Sequence, residues 1–112
     1  MKKVISLAFL FTCINSFSQT DLVNEIGELT HKEDFTKALE LSDKYIKKDT
    51  LNSMVYFYRA LCQRKNGDYQ SAFIEAYRSI NLDKKNSDAY AELGNIFAMT
   101  QEFDKALENY NR

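Results

Sequence analysis

Few side chains in this 112-residue sequence carry chemistry that could catalyse a reaction or ligate a metal. Cys62 and His31 would form a nucleophile and base if the fold joined them, because imidazole activates a thiol. Each is a singleton, and the spacing implies no carboxylate to orient the histidine. Cys62 therefore reads as a small buried hydrophobe, and His31 as an exposed residue near a turn. A metal site would need His and Cys at ligand spacing, and no such cluster occurs. Carboxylates such as Glu25 and Glu28 are scattered along polar faces, and no glycine-rich phosphate loop is present. The expectation is a non-catalytic chain that needs no cofactor.

The informative pattern is a period. Phe35, Tyr69 and Phe103 are 34 residues apart, and so are Ala38, Ala72 and Ala106. Ile46 and Ile80, Asp49 and Asp83, and Asn52 and Asn86 keep the same interval. A strict period of this size predicts a solenoid of stacked helical units, which acts through a surface rather than a reactive pocket. Proline is absent and there are three glycines, which argues against a design rich in tight β-turns.

The third copy is the plainest. Asn86 or Ser87 can cap a helix, and Ala89, Tyr90, Leu93, Gly94, Phe97 and Ala98 then recur at spacings of three and four. Thr100-Gln101-Glu102 breaks it. A second helix starts near Phe103 with Ala106, Leu107 and Tyr110 on its inward stripe. Gly94 and Ala106 are the small residues that let the two helices approach. In the second copy Tyr56 and Ala60 replace Tyr90 and Gly94, and Asn66-Gly67-Asp68 makes the turn. Gly67 suits a left-handed residue there, and Asp68 a cap. Tyr69, Ala72, Phe73, Ala76, Ile80 and Leu82 form the expected inward stripe of its second helix. In the first copy that helix carries Phe35, Ala38, Leu39, Leu41, Ser42, Tyr45 and Ile46, capped by Asp34.

These residues resemble the tetratricopeptide repeat family, whose 34-residue unit is two antiparallel helices. Tyr90, Leu93-Gly94, Phe97, Phe103, Ala106 and Tyr110 match its pattern in the third copy. The resemblance implies an all-α, right-handed solenoid of about three units over residues 19–52, 53–86 and 87–112, the last incomplete. Departures exist. Thr50 and Lys84 stand where the family has proline, so helix termination must rest on Asp49, Asn52, Asp83 and Asn86. Arg59 stands at a leucine position and Gln63 at an aromatic one. Ile26 takes the small-residue point of the first copy; a turn one residue shorter would instead bring Val23, Ile26 and Gly27 into the pattern.

The resemblance also implies a function: the first helices of successive units line a groove for an extended peptide or a partner helix. Carried over, the groove takes Met54, Phe57, Leu61, Arg64 and Lys65 from the second copy. Asp88, Ala91, Asn95, Ala98 and Met99 come from the third, and Val23, Gly27, Thr30 and His31 from the first. The expected partner has a bulky apolar anchor and a nearby acidic residue, met by Arg64 and Lys65. The family's clamp for chaperone C-terminal carboxylates does not carry over, since Val23, Gly27 and Tyr58 replace its lysine and asparagines.

The N-terminus reads as an export signal. Lys2 and Lys3 precede the apolar run from Val4 to Ile14, and small Ser16 and Ser18 follow. Cleavage after Ser18 would leave Gln19 first, in the periplasm or outside a Gram-negative cell. About 20 apolar residues are needed to cross a bilayer, and this run is shorter. Thr12 before Cys13 argues against a lipid anchor on that cysteine. The mature chain would hold 13 basic and 16 acidic residues, a net charge of −3. No basic block favours nucleic acid, and no basic amphipathic helix favours a membrane surface. With Cys62 alone left, no internal disulfide can form.

The last helix stops at Arg112. The open end is expected to expose Leu93, Phe97, Leu107 and Tyr110 in part, with Leu107 and Tyr110 as its contact residues. Two explanations are open: copies pair through this end, or the sequence is a piece of a longer protein, which is favoured because so short a final helix is marginal alone.

Overall fold

The computed structural model describes residues 21–49 and 51–112. The export signal expected over residues 1–18, Cys13 included, lies outside them. The described residues form helices joined by short turns, with no strand among them. α1 occupies residues 21–31. It is followed by α2 (Phe35–Lys48), α3 (Ser53–Lys65), α4 (Tyr69–Leu82), α5 (Ser87–Met99) and α6 (Phe103–Tyr110). The starts of α2, α4 and α6 are 34 residues apart, as are those of α3 and α5. None of these helices is long and apolar enough to cross a membrane.

One turn device recurs at the same interval. Glu33, Gly67 and Gln101 have φ of 63°, 84° and 67°. Their N–H groups donate to the carbonyls of Thr30, Arg64 and Ala98, at 3.1, 2.9 and 3.2 Å. The next N–H groups, of Asp34, Asp68 and Glu102, reach back to Leu29, Gln63 and Phe97 at 2.9, 2.9 and 2.7 Å. This doubly bonded left-handed stop satisfies carbonyls that a helix end otherwise orphans. The three turns thus have equal length, and the shorter first turn does not occur. Ile26, fully buried, takes the place held by Ala60 and Gly94.

Caps complete the punctuation. The side chains of Asn52 and Asn86 accept from the amides of Val55 and Ala89, 3.1 and 3.2 Å away. Asp34 and Asp68 do the same for Lys37 and Ser71. Glu102, one methylene longer, makes no such bond at the start of α6. Termination without proline follows a shared route. The backbone N–H groups of Asp49 and Asp83 close the last helical turn. Their carboxylates accept from Leu51 and Lys85 N–H, at 2.9 and 3.0 Å.

Packing joins α3 to both α2 and α4, and α5 to α4, α6 and α3. One apolar cluster centres on Ile26, Tyr45 and Val55. A larger one runs from Ala60, Ala72 and Ala76 through Leu93, Ile96 and Phe97 to Ala106. The alanines at 38, 72 and 106 are all buried. An added Cβ on Gly94 would come within 3.2 Å of the Ala106 carbonyl and 2.9 Å of the Tyr110 ring. Close approach there is therefore real, and the Tyr110 ring is part of what the glycine admits.

Several expected core positions differ. Phe73 and Leu82 sit at the exposed edge of α4, because Ala72, Ala76 and Ile80 already fill its inward stripe. Leu107 is exposed rather than inward, and Tyr110 is partly exposed while its ring lies on Gly94 and its hydroxyl bonds Asn95; the buried α6 residues are Ala106 and Asn109. Conversely, Leu93 and Phe97 are buried. The Phe73 ring meets Phe97 edge-on at 5.7 Å and covers it.

A polar knot sits between α3 and α4. Ser53 and Ser79 exchange hydroxyl bonds to each other's backbone carbonyls, both at 2.7 Å. The Asn86 amide donates to both hydroxyls. One repeat earlier, Asn52 donates to Tyr45 Oη at 3.3 Å in the same role. The asparagine caps therefore also tie each unit to its neighbour.

Candidate partner-binding face

α3 and α5 lie side by side and carry most of the residues expected to bind a partner. On α3, Met54, Phe57 and Leu61 follow spacings of three and four and remain half-buried. Phe57 leans on Tyr58, ring centroids 5.2 Å apart. The Asn86 amide contacts the Met54 sulfur at 3.6 Å, which holds that side chain near the seam. On α5, Ala91, Asn95 and Ala98 are half-buried, and Asp88 and Met99 exposed.

The polar groups of this face are largely committed. Arg64 grips Glu92 with two nitrogens, Nε to one carboxylate oxygen and Nη2 to the other. Glu92 is almost fully buried, and an unpaired carboxylate there would be strongly unfavourable. The Asn95 amide donates to the same carboxylate at 3.4 Å, and the Tyr110 hydroxyl donates to Asn95 Oδ1. A polar row thus runs from α3 across α5 to α6. Arg64 was expected to greet an acidic partner residue together with Lys65. It is instead neutralised by Glu92, and of the two only Lys65 is exposed.

The first helix contributes less than expected. Gly27 is buried, and an added Cβ would meet Tyr58 Oη at 2.8 Å. Thr30 is buried too; its hydroxyl donates to the Ile26 carbonyl at 2.7 Å and lies 3.5 Å from Cys62 Sγ. Both are packing residues because α3 lies directly over them. Val23 packs on the Ile26 cluster, and His31 is exposed. Burial, and after it the charge of Asp88, pushes the Tyr58 hydroxyl above its ordinary pKa. A neutral phenol beside an acid occupies the place where a carboxylate clamp would need cationic and amide donors.

Cys62 is buried and reduced, and burial raises its thiol pKa. That suppresses the thiolate a nucleophile requires. Among the described residues, no group of three or more His, Cys, Asp or Glu could hold a metal.

Sequence reasoning missed a second ionic cluster. Arg59 on α3 contacts Glu75 on α4 and both Ser42 and Asp43 on α2. Arg59 at a leucine position was the available signal. A cleft of about 550 Å³ was also missed, bounded by α4, α5 and α6. Phe73, Tyr77, Tyr90 and Phe97 line it, together with Lys105 and Arg112. Lys105 Nζ stands 5.6 Å from the centre of the Phe97 ring, and Arg112 5.4 Å from that of Tyr90.

No family model matches the chain. A Triticum aestivum protein described as Hsp70-Hsp90 organizing protein is 25% identical over 84 residues, which is 75% of this chain and 14% of that protein. Among solved structures, the second TPR of Spaghetti (RPAP3) bound to the HSP90 peptide SRMEEVD gives a TM-score of 0.75 at 19% identity. That match covers 83% of this chain and 86% of the other. MamA gives 0.75 at 22% identity, over 89% of this chain and 60% of MamA. The TPR2AB domain of yeast Sti1, in complex with an HSP90 peptide, gives 0.75 at 21%, over 96% of this chain and 42% of the other. The 34-residue helix pairs, their shared turns and these superpositions together show that the chain has the all-α solenoid fold of those tetratricopeptide-repeat structures.

Proposed function

We propose that the chain is a non-catalytic protein-interaction module, exported from the cell interior, whose α3–α5 face takes an extended peptide or a partner helix. The observation that carries this reading is the row of Met54, Phe57 and Leu61, held half-exposed beside Ala91 and Met99. Such a row offers apolar area without free charge, because Arg64 and Glu92 neutralise each other beside it. It suits a bulky apolar anchor, and exposed Lys65 suits an acidic neighbour. The likeness to domains solved with HSP90 peptides supports a peptide-binding role in general. The acid-lined Tyr58 corner favours a different peptide from one that ends in a bound carboxylate.

A peptide library displayed to the full chain tests the reading. Selected sequences should share one bulky apolar residue with an acid close by. Phe57→Ala should weaken their binding by about tenfold or more, as for a central interface anchor. Equal binding by this variant would remove the face from consideration. Export rests on the charge and hydropathy of residues 2–18. Fractionation of the source cell, with sequencing of the mature N-terminus, should find a chain beginning at Gln19 outside the cytoplasm.

A further inference from the structure

We infer that the cleft between α4, α5 and α6 is a receptor for an arginine side chain of another polypeptide. Three residues of its lining, Tyr77, Leu93 and Asn109, are the 34-residue equivalents of Asp43, Arg59 and Glu75. In the preceding seam those three form one cluster. The Arg59 guanidinium reaches Asp43 on α2 at 2.5 Å and Glu75 on α4 at 3.3 Å. Leu93 is buried and ends in methyl groups. The place that a guanidinium fills in one seam therefore lies within an open cleft of about 550 Å³ in the next. The walls change together with the floor. Leu39, Asp43 and Gln63 of the first seam become Phe73, Tyr77 and Phe97 of the second, so rings appear where the arginine is missing.

A resident and a visiting guanidinium need different surroundings. Arg59 is always present, so a buried carboxylate can answer it. A carboxylate buried beside an empty place would be an unpaired charge, which is strongly unfavourable. Aromatic faces attract a cation and cost little when bare. The cleft has that composition: the Phe73 ring packs on Tyr77 and Phe97, centroids 4.7 and 5.7 Å away. The carboxylates on its lining, Glu102 and Glu108, are exposed rather than buried. Cations of the chain itself already show how the rings are used. Lys105 Nζ stands 5.6 Å from the Phe97 centre while paired with Glu102 at 3.4 Å, and Arg112 stands over Tyr90. Both cations are exposed, and such surface pairs contribute little, so an incoming cation can displace them. A guanidinium suits the rings better than an ammonium, being planar, weakly hydrated and able to stack. The cleft shares no residue with the α3–α5 face.

The probe is the capped pentapeptide acetyl-Ala-Ala-Arg-Ala-Ala-amide, titrated into the full chain while the aromatic ring signals are followed by carbon–proton NMR. The rings of Phe73, Tyr77 and Phe97 should shift saturably. Lysine in place of the peptide's arginine should weaken binding by about threefold or more, and glutamate should abolish it. Tyr77→Ala removes one ring and should weaken binding by about threefold or more. Lys105→Ala removes the competing cation and should tighten it, whereas a cleft for anions would respond with the opposite sign. Both positions are exposed, so thermal melts should be unchanged and folding is controlled for. Phe57→Ala should leave the ring shifts intact, which separates failure here from failure of the α3–α5 reading. The inference is overturned if the rings do not shift saturably, if the lysine or glutamate peptide binds as well as the arginine peptide, or if Lys105→Ala weakens binding.

Discussion

Arg59 on α3 donates its Nε to Glu75 on α4 at 3.3 Å, in a seam whose equivalent one repeat later holds Leu93 and Asn109. Both partners are about nine-tenths buried. The second Glu75 oxygen has no hydrogen bond and lies 3.5 Å from Arg78. Arg59→Leu alone should therefore lose roughly 3–5 kcal/mol, because it strands a buried carboxylate. Arg59→Leu with Glu75→Asn imports the pair used in the next repeat and should recover most of that loss. Urea unfolding followed by circular dichroism separates the two outcomes.

The left-handed turns offer stabilising changes. Gly67 holds its φ without strain, whereas Glu33 and Gln101 hold theirs with a Cβ in the way. Glu33→Gly and Gln101→Gly should each raise stability by up to about 1 kcal/mol, less what glycine adds to unfolded-chain freedom. Gly67→Ala should lower it by a similar amount. Thermal melts of the three variants would show the ordering.

Glu102 is the one second-helix cap that reaches no amide. Glu102→Asp restores the side chain found at Asp34 and Asp68. It should add about 0.5–1 kcal/mol, the ordinary worth of an N-cap bond. Hydrogen exchange at Lys105 N–H, the amide matching Lys37 and Ser71, should slow in this variant and nowhere else.

The raised Tyr58 pKa fixes the sign of an alkaline effect. The folded chain holds the phenol proton more tightly than the unfolded chain, which releases it near the ordinary value of 10.0. Below that pH the term is fully present, and above it stability falls as the unfolded state binds fewer protons. Cys62, also raised by burial, adds to the loss from its ordinary value of 9.0 upward. Tyr58→Phe should flatten the fall above pH 10 and leave neutral-pH stability nearly unchanged, measured as urea midpoints between pH 8 and 11.

The fold was legible because its determinants are local and periodic. Gly67, Asp34, Asp68, Asn52 and Asn86 each act on backbone within a few residues, so type and spacing suffice. The site was less legible because pairing crosses helices. Arg64 and Glu92 are 28 residues apart, and neither reveals that the other is buried. Thr30 and Gly27 look like groove residues until Tyr58 and Cys62 close over them. Phe73 shows the reverse: its position is inward by period, yet the small Ala72 and Ala76 let the helix turn that ring to the edge. Arg59 was visible as a departure, but a lone departure does not name its partners.

The unlike chemistry of the two seams has a thermal consequence. α4 meets α5, and α5 meets α6, mainly through aliphatic and aromatic burial, a force that fades on cooling, although the buried Arg64–Glu92 pair ties α5 back to α3. α2, α3 and α4 are pinned in addition by the Arg59 charges, whose desolvation penalty shrinks as temperature rises. Chilling should therefore loosen α6 first, since its ion pairs are local, and warming should leave the Arg59 seam as the last to part, so the molecule unravels from a preferred end.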